Sequence, residues 1–155
     1  KLHHIPIDGL SLACFEWRAP LRGAAPTLCM VHATGFHGRV WDQVIHHLPG
    51  RHVFAIEQRG HGRSQTVDFD GWADFGHDLA ALAVALDLQG AVGIGHSMGA
   101  HALVQAAAYQ PGRFSQLVLI DPTRGPAAPT MKQAEPIAKQ TATHQSASPG
   151  SHQIE

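Results

Sequence analysis

The pentapeptide Gly-His-Ser-Met-Gly at residues 95–99 constrains the fold more than any other part of this sequence. It follows an apolar run at residues 91–94 and precedes a helix-like segment at residues 100–109. A serine between a strand and a helix, with glycine two residues away on either side, is typical of a turn too sharp for bulky neighbours. Such a turn lifts the Ser97 hydroxyl clear of the backbone. It also aims the N–H of Met98 at a developing oxyanion.

The apolar pattern on both sides of this turn predicts an α/β architecture. Apolar runs at residues 28–31, 53–56, 91–94 and 117–120 are typical of parallel strands buried on both faces. Residues 5–7 and 10–17 flank Asp8-Gly9, a two-residue hairpin signal. Helical stripes occupy the gaps: Val40, Val44 and Leu48; Phe75, Leu79, Leu82, Ala83 and Leu86; Ala102, Leu103, Ala106 and Ala107. The sequence therefore predicts an N-terminal β-hairpin plus a four-stranded parallel sheet flanked by helices.

The composition changes after Gly125. Residues 126–155 contain no Leu, Val, Phe, Trp, Tyr or Cys, and four prolines interrupt them. Such a segment buries too little apolar surface to offset its ordering entropy. We expect a folded core at residues 1–125 and a polar, poorly ordered C-terminal tail at residues 126–155.

Charge and composition narrow the range of partners. The 155-residue chain carries 11 Lys and Arg against 12 Asp and Glu, a net charge of −1, so no basic field favours nucleic acid or anionic membranes. It has no apolar run long enough to span a bilayer and no charged-then-apolar leader, although it begins at Lys1 rather than at a methionine. Cys14 and Cys29 lie in strand-like runs, and we expect reduced thiols in a cytoplasmic protein.

The sequence predicts no metal ion and no nucleotide cofactor. Its 13 histidines occur without metal-ligand spacing, so surface and loop positions are favoured over a zinc site. Residues 93–98 lack the sixth-position glycine of the dinucleotide fingerprint, and no phosphate-binding G-x-x-x-x-G-K-[ST] motif occurs.

Three blocks in this order resemble the α/β-hydrolase superfamily. Val-His-Ala-Thr-Gly-Phe at residues 31–36 is similar to the family's His-Gly oxyanion loop, with Ala33 in place of the usual glycine. Glu-Gln-Arg-Gly-His-Gly-Arg-Ser at residues 57–64 is similar to its D-x-R-G-x-G-x-S loop, with Glu57 in place of aspartate. The third block is the pentapeptide, which matches the nucleophile elbow. The resemblance covers roughly residues 1–125 by this pattern.

The resemblance implies roles for individual residues. Ser97 would be the nucleophile, and the N–H groups of Thr34 and Met98 would form the oxyanion hole. His32 is expected to support the loop rather than transfer protons. The segment at residues 59–64 is expected to be a structural turn, in which Gly60 and Gly62 supply unusual backbone angles.

The acid and the base of the expected triad are less well marked. The family order is Ser, then Asp or Glu, then His, usually over a longer chain. Asp121, at the end of the strand after the elbow, is the candidate acid. Beyond it only His144 and His152 remain, both in the polar tail, while the side chain of His96 should diverge from that of Ser97. The resemblance therefore implies a C-terminally truncated hydrolase that is nearly inactive as an isolated chain.

Two functions stay open at this point. The first is a serine hydrolase acting on a carboxylic ester, or on the carbon–carbon bond of a small diketone-like substrate. The second is a non-catalytic remnant or small-molecule binding module that keeps the pocket. A histidine within hydrogen-bond reach of Ser97 would favour the first. In either case the strand at residues 117–120 would be an exposed apolar edge, which predicts self-association.

Overall fold

The computed structural model describes residues 1–123, so the predicted tail at residues 126–155 lies outside the described residues. Six strands form one sheet in the order β1-β2-β4-β3-β5-β6. The strands are β1 Leu2–Ile7, β2 Leu10–Trp17, β3 Leu28–Val31, β4 Val53–Ile56, β5 Ala91–His96 and β6 Phe114–Ile120. The helices are α1 Asp42–His46, α2 Ala73–Ala85 and α3 Met98–Tyr109, with short 3₁₀ turns at Ala19–Leu21 and Gly38–Trp41.

The predicted architecture is confirmed. β3, β4, β5 and β6 are parallel to one another, and the hairpin β1–β2 joins them by antiparallel pairing of β2 with β4. Asp8 and Gly9 both have positive φ, 43° and 80°, as a tight two-residue hairpin turn requires. Residues 2–4 extend the first strand beyond its predicted start at residue 5 because they pair in register with β2.

The strands at the centre of the sheet separate two apolar cores. In β3, Cys29 and Val31 face the larger core, which α2 and α3 cover, while Leu28 and Met30 face a smaller core. β4 alternates in the same way. Every residue of β3 and β4 is buried, as the unbroken apolar runs predict. Both cysteines are buried and free, and burial raises each thiol pKa to about 12.

One predicted stripe faces the wrong way. Val40 and Val44 are 45% and 43% exposed, whereas Trp41 and Ile45 are buried against the smaller core. The prediction is wrong for Val40 and Val44 because a 3₁₀ turn precedes a helix of only five residues, whereas Leu48 packs against the smaller core. With so little helix, the large Trp41 ring decides which side packs on the sheet. No helix within residues 1–123 is long and apolar enough to cross a bilayer.

Candidate active site

Ser97 lies at the bend between β5 and α3. Its backbone angles, φ 52° and ψ −115°, are unfavourable for a residue with a Cβ atom, and such strain costs about 1–3 kcal/mol. Three backbone hydrogen bonds fix the bend. The Ser97 N–H donates to the carbonyl of Ile120 at 2.9 Å, and the Ser97 carbonyl accepts from the N–H groups of Ala100 and His101 at 3.0 and 3.2 Å. The bend leaves Ser97 partly exposed where the carboxyl ends of the strands meet.

The two flanking glycines are needed because backbone segments come very close there. A Cβ atom on Gly95 would lie 2.6 Å from the nitrogen of Ala100, and one on Gly99 would lie 2.6 Å from the carbonyl oxygen of His32 and overlap that of Val31. Both obstacles are main-chain atoms, which cannot move aside as a flexible side chain can. The G-x-S-x-G spacing thus lets helix α3 begin directly against β3 and β5.

The loop after β3 meets the elbow through a side-chain contact. The Thr34 hydroxyl donates to the Met98 sulfur at 3.3 Å. A turn closed by the Phe36 N–H and the Ala33 carbonyl, at 3.2 Å, holds Thr34 in this position. Within residues 1–123, neither the Thr34 N–H nor the Met98 N–H donates to a protein acceptor. An unpaired N–H at the start of a helix, with a second one in the adjoining loop, suits a negatively charged oxygen.

His32 uses both ring nitrogens to support this loop. Its Nδ1 donates to the carbonyl of Ala33 at 2.8 Å, and its Nε2 accepts from the N–H of Gln58 at 3.1 Å. The Gln58 side chain donates in return to the His32 carbonyl at 2.8 Å. Burial lowers the pKa of His32 to about 4, so the ring stays neutral near pH 7. These contacts agree with a supporting role rather than proton transfer.

Lowering the pH should reduce the contribution of His32 to the stability of the fold. A histidine whose folded-state pKa lies below its unfolded value stabilises the fold above pH 6.5, and that contribution is lost as the pH falls towards 4. Between pH 7 and pH 5 we expect a loss of about 2 kcal/mol from His32 alone. Urea midpoints at the two pH values measure it. His32→Gln, which keeps a donor and an acceptor but does not titrate, should lose clearly less. An equal loss in both proteins would contradict the assignment.

Residues 59–64 fold as the predicted structural turn, which Glu57 holds in place. Buried Glu57 accepts hydrogen bonds from the backbone N–H groups of Gly38 and Arg63 at 3.2 and 2.6 Å. Gly60 and Gly62 have positive φ, 70° and 58°, and a Cβ on Gly62 would overlap the Glu57 carboxylate. Glutamate at position 57 therefore joins the turn to the loop that precedes α1.

Arg59 ties the same turn to helix α2. Its guanidinium donates twice to the Asp78 carboxylate, both at 2.6 Å, and lies 3.5 Å from Asp74. The hydrogen bonds to Asp78 raise the pKa of Arg59. This pairing was not predicted from the sequence. Its signal was the acidic pair at positions 74 and 78, one helical turn apart, on the edge of the apolar stripe of α2.

The structure brings Asp121 near the elbow but shows no partner for it. Asp121 directly follows Ile120, whose carbonyl accepts the Ser97 N–H, and its φ is 43°. Within residues 1–123, Asp121 forms no hydrogen bond or ion pair, and no histidine hydrogen-bonds to Ser97. His96 lies with its ring centroid 6.4 Å from that of Phe36. His144 and His152 lie outside the described residues.

A cavity of about 360 Å³ adjoins the elbow, and its lining includes both Thr34 and Met98. Phe69 and Trp72, to which sequence reasoning assigned no role, form part of its wall. The sequence feature that could have indicated this wall is the presence of two large aromatic side chains in a stretch otherwise rich in Asp and Gly. Among the described residues, no group of three or more His, Cys, Asp or Glu side chains is placed to hold a metal ion.

The sequence of this chain is similar to those of several characterised proteins. The chain is 38% identical over 98 residues to lipase LipV of Mycobacterium tuberculosis, covering 59% of this chain and 35% of the relative. It is 44% identical over 87 residues to a non-heme chloroperoxidase of Streptomyces lividans, covering 52% of this chain and 30% of the relative. The chain thus spans about a third of the length of these curated relatives.

Solved structures and a family model agree on the fold. A hydrolase from Pseudomonas aeruginosa PA01 superposes with a TM-score of 0.70 at 28% identity, over 79% of this chain and 46% of that one. The model of the alpha/beta hydrolase family matches residues 30–151, which include the loop after β3, the turn after β4 and the elbow. The chain therefore belongs to the α/β-hydrolase family.

Proposed function

We propose that this chain carries the nucleophile and the oxyanion hole of a serine hydrolase that acts on a small carboxylic ester, or on the carbon–carbon bond of a small substrate. The observation that carries the proposal is the elbow. Ser97 is partly exposed at a strained bend. Thr34 and Met98, whose N–H groups lack protein acceptors within residues 1–123, are in contact beside it. Strain is kept at functional sites when the surrounding structure enforces it.

The proposed reaction with an ester begins at the Ser97 oxygen. The oxygen attacks the acyl carbon, a base accepts the hydroxyl proton, and the carbonyl oxygen becomes an oxyanion held by the N–H groups of Thr34 and Met98. When the tetrahedral intermediate collapses, the carbon–oxygen bond to the alcohol breaks and the alcohol takes up a proton. Water then releases the acid from the acyl-enzyme. The N-terminus of α3 favours the negative charge in both steps.

The base and the acid are the incomplete part of the proposal. We keep Asp121 as the candidate acid because its neighbour Ile120 is hydrogen-bonded to the Ser97 backbone. His96, His144 and His152 remain the candidate bases in this sequence, and residues 1–123 show no histidine bonded to Ser97. We therefore propose that the 155-residue polypeptide is impaired in proton transfer while its nucleophile and oxyanion donors are in place.

Acylation by an activated ester tests the nucleophile directly. After long incubation with p-nitrophenyl acetate, mass spectrometry of peptides should place an acetyl group on Ser97, because slow deacylation lets the intermediate accumulate. Ser97→Ala should remove the adduct. Ser115→Ala removes an exposed hydroxyl that donates to the Gly90 carbonyl, and it should leave the adduct unchanged. An adduct spread over surface residues, or unaffected by Ser97→Ala, would refute the proposal.

The second candidate is a binding module that keeps the pocket without catalysis. The absence of a histidine bonded to Ser97 within residues 1–123 is the observation that favours it. It predicts reversible binding of small molecules with no acetyl group on Ser97. The small-molecule partner is common to both candidates. A cytoplasmic location is part of the proposal as well, supported by the two free, buried thiols.

We also propose that the polypeptide self-associates through β6. Within residues 1–123 this strand pairs with β5 only, and Val118, Leu119 and Ile120 are 47%, 39% and 42% exposed. An apolar edge of this kind favours pairing with another strand. Light scattering should detect dimers or larger species at micromolar concentration, and Val118→Lys should shift them towards monomer. Val104→Lys, at an exposed valine of α3, is the control. A monomer before any substitution would contradict the proposal.

A further inference from the structure

The proposed chemistry gives no role to most of the residues that line the cavity beside the elbow. Its volume is about 360 Å³, within the range of about 300–1,000 Å³ that is usual for small-molecule sites. It begins at Thr34 and Met98, the residues that carry the proposed oxyanion donors. The acyl carbon would be held between Ser97 and those donors, so a substituent of that carbon is the part of the substrate placed to enter the cavity.

The wall of the cavity is apolar and aromatic. Val67, Phe69 and Trp72 contribute to it from the segment that leads into α2, and Phe75 contributes from the first turn of α2. Phe69 and Phe75 pack edge to face with ring centroids 5.3 Å apart, and Trp72 packs in the same way against His101 at 5.4 Å. Since each aromatic ring on this wall is held by a neighbouring ring, the cavity presents a preformed apolar surface.

The charged side chain in the lining is already paired. Arg59 donates twice to Asp78, both at 2.6 Å, so its charge is compensated within the protein. His61, also in the lining, directs Nδ1 at the Arg59 carbonyl, 2.8 Å away. The arginine of the lining is thus not free to pair with an anionic group, and burying a carboxylate there would carry a desolvation cost.

We infer that this cavity binds the acyl group of the substrate, and that it selects an uncharged apolar acyl chain. The inference rests on the proposed function. An acyl chain of eight carbons has room there, because an apolar cavity of about 150 Å³ accepts a benzene molecule and this one is somewhat more than twice as large. Phe69 and Trp72 are the residues that determine specificity.

Binding to the Ser97→Ala variant tests the inference without any chemistry. The probes are methyl octanoate, methyl acetate, and the monomethyl ester of octanedioic acid, whose far end carries a carboxylate. Calorimetry gives the Kd values, and the indole N–H signal of Trp72 in an NMR spectrum reports the location. Methyl octanoate should bind at least tenfold more tightly than either other probe, because burial of each added CH₂ is favourable and burial of the carboxylate is not. It should also shift the Trp72 signal.

A matched pair of variants checks the location. Phe69 and Val44 are both exposed on one side, 55% and 43%, so an aspartate at either position should leave the fold intact. Phe69→Asp should weaken methyl octanoate binding at least tenfold, and Val44→Asp, outside the lining, should not change it. Equal affinities for the three probes, or equal effects of the two variants, would overturn the inference. So would tighter binding of heptyl acetate, an isomer of methyl octanoate with the long chain on the alcohol side.

These measurements separate the inference from the function on which it rests. Selective binding of methyl octanoate without acylation of Ser97 by p-nitrophenyl acetate would leave the cavity assignment standing and remove the proposed nucleophile. Acylation of Ser97 with no preference among the three binding probes would support the proposed nucleophile and overturn the cavity assignment. The first result would also favour the binding module over the hydrolase.

Discussion

Ser97→Ala should change the steady-state turnover of p-nitrophenyl acetate by the 155-residue polypeptide by less than about threefold, because in a polypeptide that lacks a base, as we propose, the serine contributes little. Members of a serine–histidine–acid triad act as one unit. Loss of the histidine alone costs about 10⁶ in turnover, nearly as much as loss of the whole triad, and leaves about 10³–10⁴ over water from binding and the oxyanion hole. Both proteins should therefore show the same low rate.

The measurement is a comparison of initial rates with a buffer blank over a range of enzyme concentrations. Arg39→Ala removes an exposed arginine of the 3₁₀ turn Gly38–Trp41 that pairs with Asp42, and it serves as a control for preparation-dependent background. Robust turnover that Ser97→Ala abolishes would contradict the prediction, since it would require an effective base in this polypeptide. His144 or His152 would then be the first residues to replace.

The parts of the fold that local chemistry determines were predicted from the sequence. The hairpin turn at Asp8-Gly9 needs two positive φ angles in adjacent residues, and the elbow needs glycine where main-chain segments nearly touch. Both requirements restrict residue type at single positions, so they are visible without a structure. The stripe of α2 was equally clear because Phe75, Leu79 and Leu82 recur at helical spacing and all face the larger core.

The parts that depend on distant contacts could not be predicted. No local pattern indicates that β4 lies between β2 and β3, because strand order is set by how the crossovers pack. Val40 and Val44 have the spacing of a buried face, yet the face of this segment that carries Trp41 is the buried one. The support of the loop after β3 by Gln58 and the aromatic wall at Phe69 also join residues far apart in the chain. The roles of Ser97, Thr34, Met98 and Asp121 remain predictions.

Gly99→Ala should destabilise the protein by about 3 kcal/mol or more, the largest stability effect we expect from a single methyl group. The added Cβ would overlap the carbonyl oxygen of Val31 and lie 2.6 Å from that of His32. Relief requires α3 to move away from β3, and that movement would also carry Met98 away from Thr34. Urea unfolding at pH 7 measures the stability. Loss of the Ser97 acetyl adduct in the fraction that remains folded measures the displacement of the site.

Gly71→Ala is the control, because a Cβ on Gly71 would meet no atom within 4 Å. A surface substitution of this kind should stay within about 0.5 kcal/mol of the unsubstituted protein. Gly95→Ala, whose Cβ would lie 2.6 Å from the Ala100 nitrogen, should behave like Gly99→Ala. Equal stability of the Gly99→Ala and Gly71→Ala proteins would mean that α3 does not begin against β3. The close approach that aims the Met98 N–H, and with it the proposed oxyanion hole, would then be lost.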